Sequence, residues 1–596
     1  MKKIKSLTIA IMLVISLFIT STQAADMIAV DLTASKDSAA AAATISDALR
    51  ERLVEAEEDE RIPVTIELTD NIDLEKVDQR ALARAQLSSA ELAIMNVDTS
   101  TFSEEINEAH QKMMLELHDE IAVQKQAILK EHYSNKTAVF LSSAGLTKAE
   151  YGSIGIFTPF ISNILLTPVQ IQKLSASPEV VYIDYLGGVE DTDFDSIENT
   201  YRIINGNVAV DEGYTGGGIR VGLVESGVPK RSIMGNDAQN ILRTNSTNET
   251  EHAALTSGII KKMAPGCTIY ARAMTTATII DDIETLIDKY NVHVVNVSCG
   301  ALSEGVYTTR SRRLDQLVKR TGVAIVVSSG NGNPSSDYIN DLALAPNVIA
   351  VGAVNSSGTN PGAARAYMQT NYSIYRENIK TVNKPDVCAP GQILMYSLIA
   401  EGTSFSAPHV TGTIVQMIAR NSGLRDKPQT LKAALMASAS YNYGSSMSYV
   451  TNTRASDQEG AGVIDAGFCY QVARNSRRTH FDATVNSTSF EKNVYCDYTT
   501  IPFRIACAWE ALSTGSTTSI SDYDMKVYKN GTLVASSSAF TISSENPKSN
   551  YEIIEIGTAT LEKYGAGYYQ VKITRSGGFS GDVTQTVRIG LAWEQR

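Results

Sequence analysis

The sequence predicts an α/β protein with a parallel sheet at its centre, preceded by an α+β domain and followed by an antiparallel β-sandwich. Three observations support this prediction. Between residues 201 and 470, short apolar strands alternate with helical stretches, a pattern typical of a parallel sheet with helices on both faces. Residues 157–186 read as strand, helix and strand. From about residue 471 the helical pattern ends, and strand-like runs rich in Ser, Thr, Tyr and Asn follow.

The first residues have the composition of a secretory leader. The basic start MKKIK precedes an apolar run from Leu7 to Ile19, and small residues follow as far as Ala24. This order predicts a signal peptide over residues 1–24, because the apolar run is short for a membrane span. We therefore expect a secreted protein, extracellular or periplasmic, with no membrane span.

Residues 25–190 form the predicted α+β domain. The stretch RIPVTIELTD at 61–70 reads as a strand, and helical patterning is strongest over 103–131. Further along, a helix begins near Pro168 and a strand ends near Tyr185. The helical stretches taken alone would also fit a solvated helical hairpin.

The central domain, residues 200–470, follows an acidic stretch, GGVEDTDFDSIENT at 187–200, which predicts an exposed linker. Its strand-like runs are IRVGLVES, CTIYARAM, VHVVNVSCG, AIVVSSGN and NVIAVGAV. In such sheets the chemistry takes place at the carboxyl ends of the strands. Glu225, Cys299 and Asn331 fall at these ends.

The last domain, residues 471–596, is the predicted β-sandwich. In YDMKVYKNGTLVASS, the Asn-Gly pair between two strand-like runs is typical of a tight hairpin turn. The six cysteines of the chain match no zinc template. Cys496 and Cys507 flank a strand-like stretch, so a local disulfide is one interpretation, and buried free thiols are the other.

Overall composition limits the class of partner. With 596 residues, of which 43% are hydrophobic and 20% charged, the chain can form several globular domains. The formal net charge of −13 argues against a nucleic-acid partner.

The strongest chemical signal is EGTSFSAPHVTGTIVQMIARNS at 401–422, where Gly402, Thr403 and Ser404 lead directly into a helix. A serine at a helix start is usually an N-cap. The amides of a first helical turn also face developing negative charge, which would suit a nucleophile. A nucleophilic serine needs a base, and the base needs a carboxylate to orient it.

Three histidines lie in the central domain. His293 falls inside an apolar strand and predicts a buried structural residue, and His409 lies too deep in its helix to reach the Ser404 hydroxyl. His252, in NETEHAALTSGII, opens a helix of small residues and is the candidate base.

These motifs, in this order, resemble those of the subtilisin-like serine proteases (subtilases). GTSFSAPHVTG resembles the nucleophile signature, and HAALTSGII with APGCTIYA resembles the histidine block. VVNVSCG, VVSSGNGN and VIAVGAV resemble the substrate strand, the oxyanion block and the strand after it. The chain order of carboxylate, histidine and serine is also that of subtilisin. The resemblance covers about residues 201–470 and implies a subtilisin-like catalytic domain.

The resemblance implies a role for each matching residue. Ser404 would be the nucleophile, His252 the general base and then acid, and Asn331 a side-chain donor to the oxyanion beside the Ser404 backbone N–H. Ser298, Cys299 and Gly300 would pair with an extended polypeptide substrate.

The flanking regions resemble family modules as well. SPEVVYIDYL resembles the end of the family's propeptide, so residues 25–190 would assist folding and inhibit the chain's own cleft, with residues 70–145 as a helical insertion. The base of the first specificity pocket would lie near Asn340 and Asp341. Calcium is common in the family, but no dense Asp/Asn loop demands it here. We therefore expect no required cofactor and assign no metal ligand, and structural calcium is left open.

Glu225 departs from the family pattern. Subtilases have Asp at this strand end, and the Gly-Thr pair that usually follows their catalytic histidine is Ala253-Ala254 here. Glutamate keeps the charge but adds a methylene, and a displacement of about an ångström can cost about a hundredfold in rate. Glu225 is expected to serve as the triad carboxylate if the histidine loop has shifted to fit it.

Two functions follow from these observations. The first is a secreted serine endopeptidase, made as a zymogen, that forms an acyl-enzyme on Ser404. The alternative is a pseudoprotease that binds peptides or a partner without turnover, which Glu225 favours and the intact Ser404, His252 and Asn331 oppose. Hydrolysis of esters or lipids has no supporting feature, such as a long apolar lid.

Overall fold

The computed structural model describes most of the chain. The described residues are 44–57, 59–95, 104–146, 151–185, 200–275, 277–300, 305–334, 336–355, 368–370, 372–375, 383–440, 459–474, 477–484, 489–514, 517–519, 522–537, 550–577 and 586–595. The predicted signal peptide and residues 187–199 of the predicted linker lie outside them. No helix in this described part is long and apolar enough to cross a bilayer.

The N-terminal region is an α+β unit with a five-stranded sheet in the order β1-β5-β2-β4-β3. Its elements are β1 Thr44–Ile45, α1 Asp47–Glu55, β2 Ile62–Leu68, α2 Leu74–Arg84, α3 Ser89–Met95, α4 Glu104–Ala144, β3 Tyr151–Ile154, β4 Phe160–Leu166, α5 Pro168–Ser175 and β5 Val180–Tyr185. The helix predicted over 103–131 is longer than expected, because its second half buries Tyr133, Phe140 and Leu141. The interpretation as a solvated helical hairpin is therefore wrong.

The central region alternates strands and helices as predicted. Its elements are α6 Thr200–Ile203, α7 Asn207–Asp211, β6 Arg220–Glu225, β7 Val228–Pro229, β8 Ile241–Arg243, β9 Glu249–Thr250, α8 Glu251–Met263, β10 Thr268–Ala273, α9 Ile279–Tyr290, β11 Val294–Val297, α10 Thr309–Thr321, β12 Ala324–Ser328, β13 Ile349–Asn355, β14 Met368–Gln369, β15 Val387–Pro390, β16 Gln392–Met395, β17 Leu398–Glu401, α11 Thr403–Arg420, α12 Pro428–Ser438 and α13 Ala466–Arg474, with single 3₁₀ turns at Arg231–Ile233, Gly235–Ala238 and Ser422–Leu424.

The central sheet runs in the order β8-β10-β6-β11-β12-β13, with β15 also paired to β13 in parallel and β14 antiparallel at the edge. One face packs on α9 and α10 through residues such as Val224 and Val295. The other packs on α8, α11 and α12 through residues such as Val221 and Leu223. Burial on both faces explains why the strands read as continuous apolar runs. The predicted parallel-sheet fold is confirmed.

The C-terminal region has two four-stranded antiparallel sheets, β18-β27-β20-β25 and β19-β26-β23-β24. Apolar side chains of both sheets share one core, as in a sandwich. The elements are β18 Arg478–Thr484, β19 Ser489–Cys496, β20 Phe503–Trp509, β21 Leu512–Thr514, β22 Thr517–Ser519, β23 Asp522–Lys529, β24 Thr532–Ser536, β25 Tyr551–Ile556, α14 Thr558–Tyr564, β26 Gly567–Gly577 and β27 Thr586–Gln595. Asn530 and Gly531 both have positive φ, so the predicted hairpin turn is confirmed.

The sequence allowed either a disulfide between Cys496 and Cys507 or buried free thiols, and the structure decides between the two. Cys496 ends a strand of one sheet and Cys507 lies in a strand of the other. All six cysteines lie among the described residues, and each is a free thiol. The disulfide interpretation is therefore wrong.

The sandwich packs tightly on the central region. Arg504, in β20, is almost fully buried and donates to the carbonyls of Ala439 and Ala461, both at 2.7 Å. Gly590, in β27, has no room for a side chain, since a Cβ there would lie 2.4 Å from the backbone nitrogen of Thr430. The last sheet thus packs against the start of α12.

Candidate active site

The carboxyl ends of three neighbouring strands form the floor of the candidate site. Val224 of β6 is in register with Val297 of β11, and Val297 is in register with Val327 of β12. The next residue on each strand is therefore Glu225, Ser298 and Ser328. These three residues lie side by side at one edge of the sheet, as predicted for parallel strands.

Glu225 is held at the end of β6 and points towards the histidine. Its side chain is 1% exposed, and Oε2 lies 2.9 Å from His252 Nδ1. The other oxygen, Oε1, is buried and accepts no hydrogen bond from the described residues. The longer side chain therefore reaches hydrogen-bond distance of the imidazole.

The loop that carries His252 is fixed to the chain just after Glu225. β7 pairs in parallel with β9, and Val228 is in register with Glu249. Gly227 allows this approach, because a Cβ there would lie 2.4 Å from Thr250 Cγ2. Thr250 caps α8 by accepting a hydrogen bond from the Ala253 N–H at 3.2 Å. This pairing places His252, the second residue of α8, opposite the carboxylate.

Ser404 is the second residue of α11 and is 9% exposed. Its hydroxyl donates to the Ser298 carbonyl at 3.1 Å, and the Ser298 hydroxyl donates to the Ser404 carbonyl at 2.7 Å. The ring of Phe405, the next residue, lies 5.2 Å from the His252 ring, centroid to centroid. The imidazole therefore contacts the residue that follows Ser404, while the Ser404 hydroxyl is engaged by the Ser298 carbonyl. Such resting geometry is common in sites without substrate.

Asn331 is oriented by the residue before the serine. Its Oδ1 accepts from the Thr403 N–H at 2.8 Å and from the Thr403 hydroxyl at 3.0 Å. The Thr403 hydroxyl in turn accepts from the Gly330 N–H at 3.1 Å. Because the carbonyl half of the amide is engaged in this way, the Nδ2 donor faces the other side, next to Gly402.

Gly402 leaves space for that donor. It has φ 150° and ψ 155°, a conformation open to glycine, and a Cβ there would lie 3.0 Å from Asn331 Nδ2. The Nδ2 group and the first amides of α11 therefore lie close together. Two N–H donors arranged in this way can stabilise an oxyanion.

Ser298, Cys299 and Gly300 extend β11 beyond its last paired residue. Asn296 Nδ2 donates to Ser298 Oγ at 2.8 Å, and Thr411 Oγ1 donates to Asn296 Oδ1 at 2.9 Å. These buried contacts fix the segment to α11 beside the serine. The sequence analysis named these three residues as candidates. It missed Asn296, Thr411, Thr250 and Thr403, because the only signal for these four was that each lies near a candidate residue in the sequence.

Asn340 and Asp341, predicted near a specificity pocket, lie behind Gly300. A Cβ on Gly300 would be 2.4 Å from the Asn340 amide group, so the asparagine fills the space against this glycine. Asp341 is buried and accepts from Arg310 Nε and from the Thr308 hydroxyl, at 2.7 and 2.8 Å. Its charge is therefore already paired.

The other two histidines of the central region have structural contacts. His409 is buried and bonded to the Thr200 hydroxyl at 2.9 Å, and burial lowers its pKa to about 4. Burial likewise lowers the pKa of His293 to about 3. Of the three, His252 is the histidine that lies against Glu225 and Phe405, so it remains the candidate base.

The chain is similar to known proteases over its central region. Residues 233–465 match the model of the subtilase family, peptidase S8. Subtilisin amylosacchariticus of Bacillus subtilis subsp. amylosacchariticus is 24% identical over 308 residues, which are 46% of this chain and 76% of that protein. Subtilisin of Bacillus pumilus is 25% identical over 267 residues, 39% and 90% of the two chains. The minor extracellular protease Vpr of Bacillus subtilis is 24% identical over 284 residues, 41% and 34% of the two chains.

The matched range contains some candidates and omits one. His252, Ser298, Asn331 and Ser404 fall inside residues 233–465, whereas Glu225 precedes them. The family match thus covers the candidate base and the candidate nucleophile, and the candidacy of Glu225 as the carboxylate depends on the geometry described above.

Proposed function

We propose that this chain, which matches the subtilase family of serine peptidases over residues 233–465 and is distantly similar to subtilisins, is an active endopeptidase whose triad is Ser404, His252 and Glu225. The observation that carries the proposal is the 2.9 Å contact between His252 Nδ1 and the buried Oε2 of Glu225. A carboxylate in this position selects the tautomer with a proton on Nδ1 and stabilises the imidazolium that forms during the reaction.

The reaction follows from the positions of these groups. An extended polypeptide pairs with Ser298–Gly300, and the Ser404 hydroxyl turns to His252 Nε2. As Ser404 attacks the scissile carbonyl, its proton passes to His252, and the oxyanion accepts hydrogen bonds from Asn331 Nδ2 and the Ser404 N–H. His252 then protonates the leaving amine, and water hydrolyses the acyl-enzyme. No cofactor is required for these steps.

Covalent labelling separates this proposal from the pseudoprotease alternative. A fluorophosphonate reacts only with a serine activated by its base, so the wild-type protein should be labelled at Ser404 and Ser404→Ala should not. Peptide binding without labelling would support the pseudoprotease and contradict the proposal.

Asn331→Ala should lower kcat far more than it changes KM. The amide donor would contact the oxyanion, which forms only along the reaction and is absent from bound substrate. Removing one such donor costs about 10²–10³ in kcat in subtilisin. Steady-state kinetics on a chromogenic peptide would measure both constants. An unchanged kcat would show that Asn331 does not contact the oxyanion.

We also propose that the protein is secreted as a zymogen, with the N-terminal region as its inhibitor. β5 ends beside the start of α10, where the Thr309 N–H donates to Asp184 at 3.2 Å. The chain resumes at Thr200, which bonds to His409 in α11. Both ends of the linker are therefore attached to helices of the central region, α10 and α11, and α11 carries Ser404. The secretory leader supports export.

The linker should be cut by the protein itself. Mature protein should begin between Gly187 and Tyr201, and we expect the cleaved bond to precede Thr200, because that residue is buried against α11. N-terminal sequencing of secreted wild-type protein beside Ser404→Ala measures the position. Identical processing of Ser404→Ala in the absence of other proteases would contradict self-cleavage.

A further inference from the structure

Helix α4 crosses the edge of the central sheet that lies opposite the candidate active site. Its Asp119 accepts from Arg220 at 2.6 Å, and Asp119 Oδ1 lies 3.1 Å from His293 Nε2. Arg220 begins β6, and His293 directly precedes β11. Asp119 also forms an ion pair with Arg425, in the loop before α12. One carboxylate of the N-terminal region thus contacts three separate segments of the central region.

This contact is largely closed to solvent. The side chain of Arg425 is 4% exposed, and that of His293 is fully buried. Burial lowers the pKa of Arg425 to about 10, which leaves it charged at neutral pH. The carboxylate stays charged too, because burial raises the pKa of Asp119 less than His293 and Arg425 lower it, and the result is about 2. The attraction is therefore between full charges at a partly buried site, where Asp119 is 21% and Arg425 4% exposed, and loss of the carboxylate costs most at the buried Arg425.

Other contacts extend along the same helix. Gln111 Oε1 accepts from the N–H and hydroxyl of Ser422, at 3.0 and 3.1 Å. Lys130 pairs with Asp288 of α9 at 2.7 Å. These contacts span nineteen residues, about 28 Å of helix at 1.5 Å per residue. The helix therefore contacts the central region over several turns.

The same helical layer reaches the C-terminal sandwich. Asp78 of α2 pairs with Arg588 of β27 at 2.6 Å and with Lys125 of α4 at 2.6 Å. Val77 and Ala81 of α2 and Ile128 of α4 are buried in the apolar core that also contains Ile283 of α9. α2 and α4 therefore touch all three parts of the chain.

We infer that α2 and α4 dock the N-terminal region permanently on the amino edge of the central sheet and on the sandwich, so that it remains a non-covalent subunit of the mature enzyme. The inference rests on the proposed cleavage of the linker. It distinguishes two parts of the N-terminal region. Asp184, just before the linker, contacts the start of α10, whereas α2 and α4 contact the sheet edge opposite Ser404, so docking through these two helices does not itself occupy the cleft.

The test separates docking from catalysis by cutting the chain with another enzyme. A recognition sequence for a site-specific protease is placed between residues 187 and 199 of the full-length Ser404→Ala protein. After cleavage, size-exclusion chromatography at decreasing concentration measures whether the two fragments stay together. We expect them to elute as one complex. Separation of the fragments in this parent protein would overturn the inference, whatever the wild-type protein does to its own linker.

Two variants of α4 identify the contact. Asp119→Asn keeps the size of the side chain but removes the negative charge that faces Arg220 and the buried Arg425, so it should weaken association of the cleaved fragments by about 100-fold or more. Glu131→Gln is the matched control, because Glu131 is 60% exposed and pairs with Arg84 inside the N-terminal region. Equal effects of the two variants would overturn the role of Asp119. Gln111→Ala removes a separate contact of the same surface and should also weaken association of the cleaved fragments. It replaces Asp119→Asn as the test if that variant does not fold.

Discussion

Ser404→Ala should lower kcat by about 10⁶, a loss of the size measured when the nucleophile of subtilisin is removed. Without the hydroxyl no acyl-enzyme can form, and the remaining rate comes from substrate binding and the oxyanion donors. Peptide binding should persist, because Ser298–Gly300 and Asn331 are unchanged. Initial rates on a chromogenic peptide, combined with binding measured by fluorescence, would show this separation.

The adjacent serine on α11 offers a matched control. Ser406 is fully buried, and its hydroxyl has no hydrogen-bond partner among the described residues. Ser406→Ala should therefore leave kcat unchanged while removing the same atom from the same helix. Substantial activity in purified Ser404→Ala would mean that another group is the nucleophile.

Nucleophile and base should also act as one unit. His252→Ala should cost about as much as Ser404→Ala, and the double variant should be little slower than either, because each change alone already disables proton transfer and attack. Additive losses would indicate that Ser404 and His252 serve separate functions. Measuring all three proteins with the same substrate decides between these outcomes.

The sequence predicted the central sheet because the sheet depends on local pattern, and the same pattern supplied most of the candidate site residues. Fully buried strands read as short apolar runs, and parallel strands bring their carboxyl ends to one edge. Glu225, Cys299 and Asn331 could therefore be expected at one edge of the sheet without knowledge of tertiary contacts. Ser404 and His252 were found because each stands at the start of a helix with a distinctive motif.

What the sequence did not predict depends on contacts between distant segments. The fit of Glu225 to His252 follows from the pairing of β7 with β9, and two-residue strands leave no periodic signal. The length of α4 depends on the burial of residues such as Tyr133 and Phe140, and the role of Asp119 depends on Arg220 and Arg425, far along the chain. The state of Cys496 and Cys507 also could not be predicted from the sequence, since only the assignment of β19 and β20 to different sheets separates the two thiols.

Glu225→Gln should lower kcat by about 10⁴ with little change in KM. Glutamine fits the same space but can donate its amide N–H to His252 Nδ1. That hydrogen bond favours the tautomer with the proton on Nε2, which cannot accept the Ser404 proton. The imidazolium also loses its neighbouring negative charge. Glu251→Gln is the matched control, because Glu251 adjoins His252 in sequence but pairs with Lys230 at the surface. It should leave kcat unchanged.

Glu225→Asp tests whether the site is adapted to the longer side chain. Aspartate is the residue that subtilases usually have, so a site merely damaged by glutamate should gain activity from the change. In this structure Oε2 already lies 2.9 Å from Nδ1, and the β7–β9 pairing holds the histidine loop at that distance. Aspartate should therefore fall short by about an ångström and lower kcat by about a hundredfold. Steady-state kinetics on the purified variants decides the matter: a gain with aspartate would contradict an adapted site, and equal activity of the Gln, Asp and wild-type proteins would show that Glu225 does not orient His252.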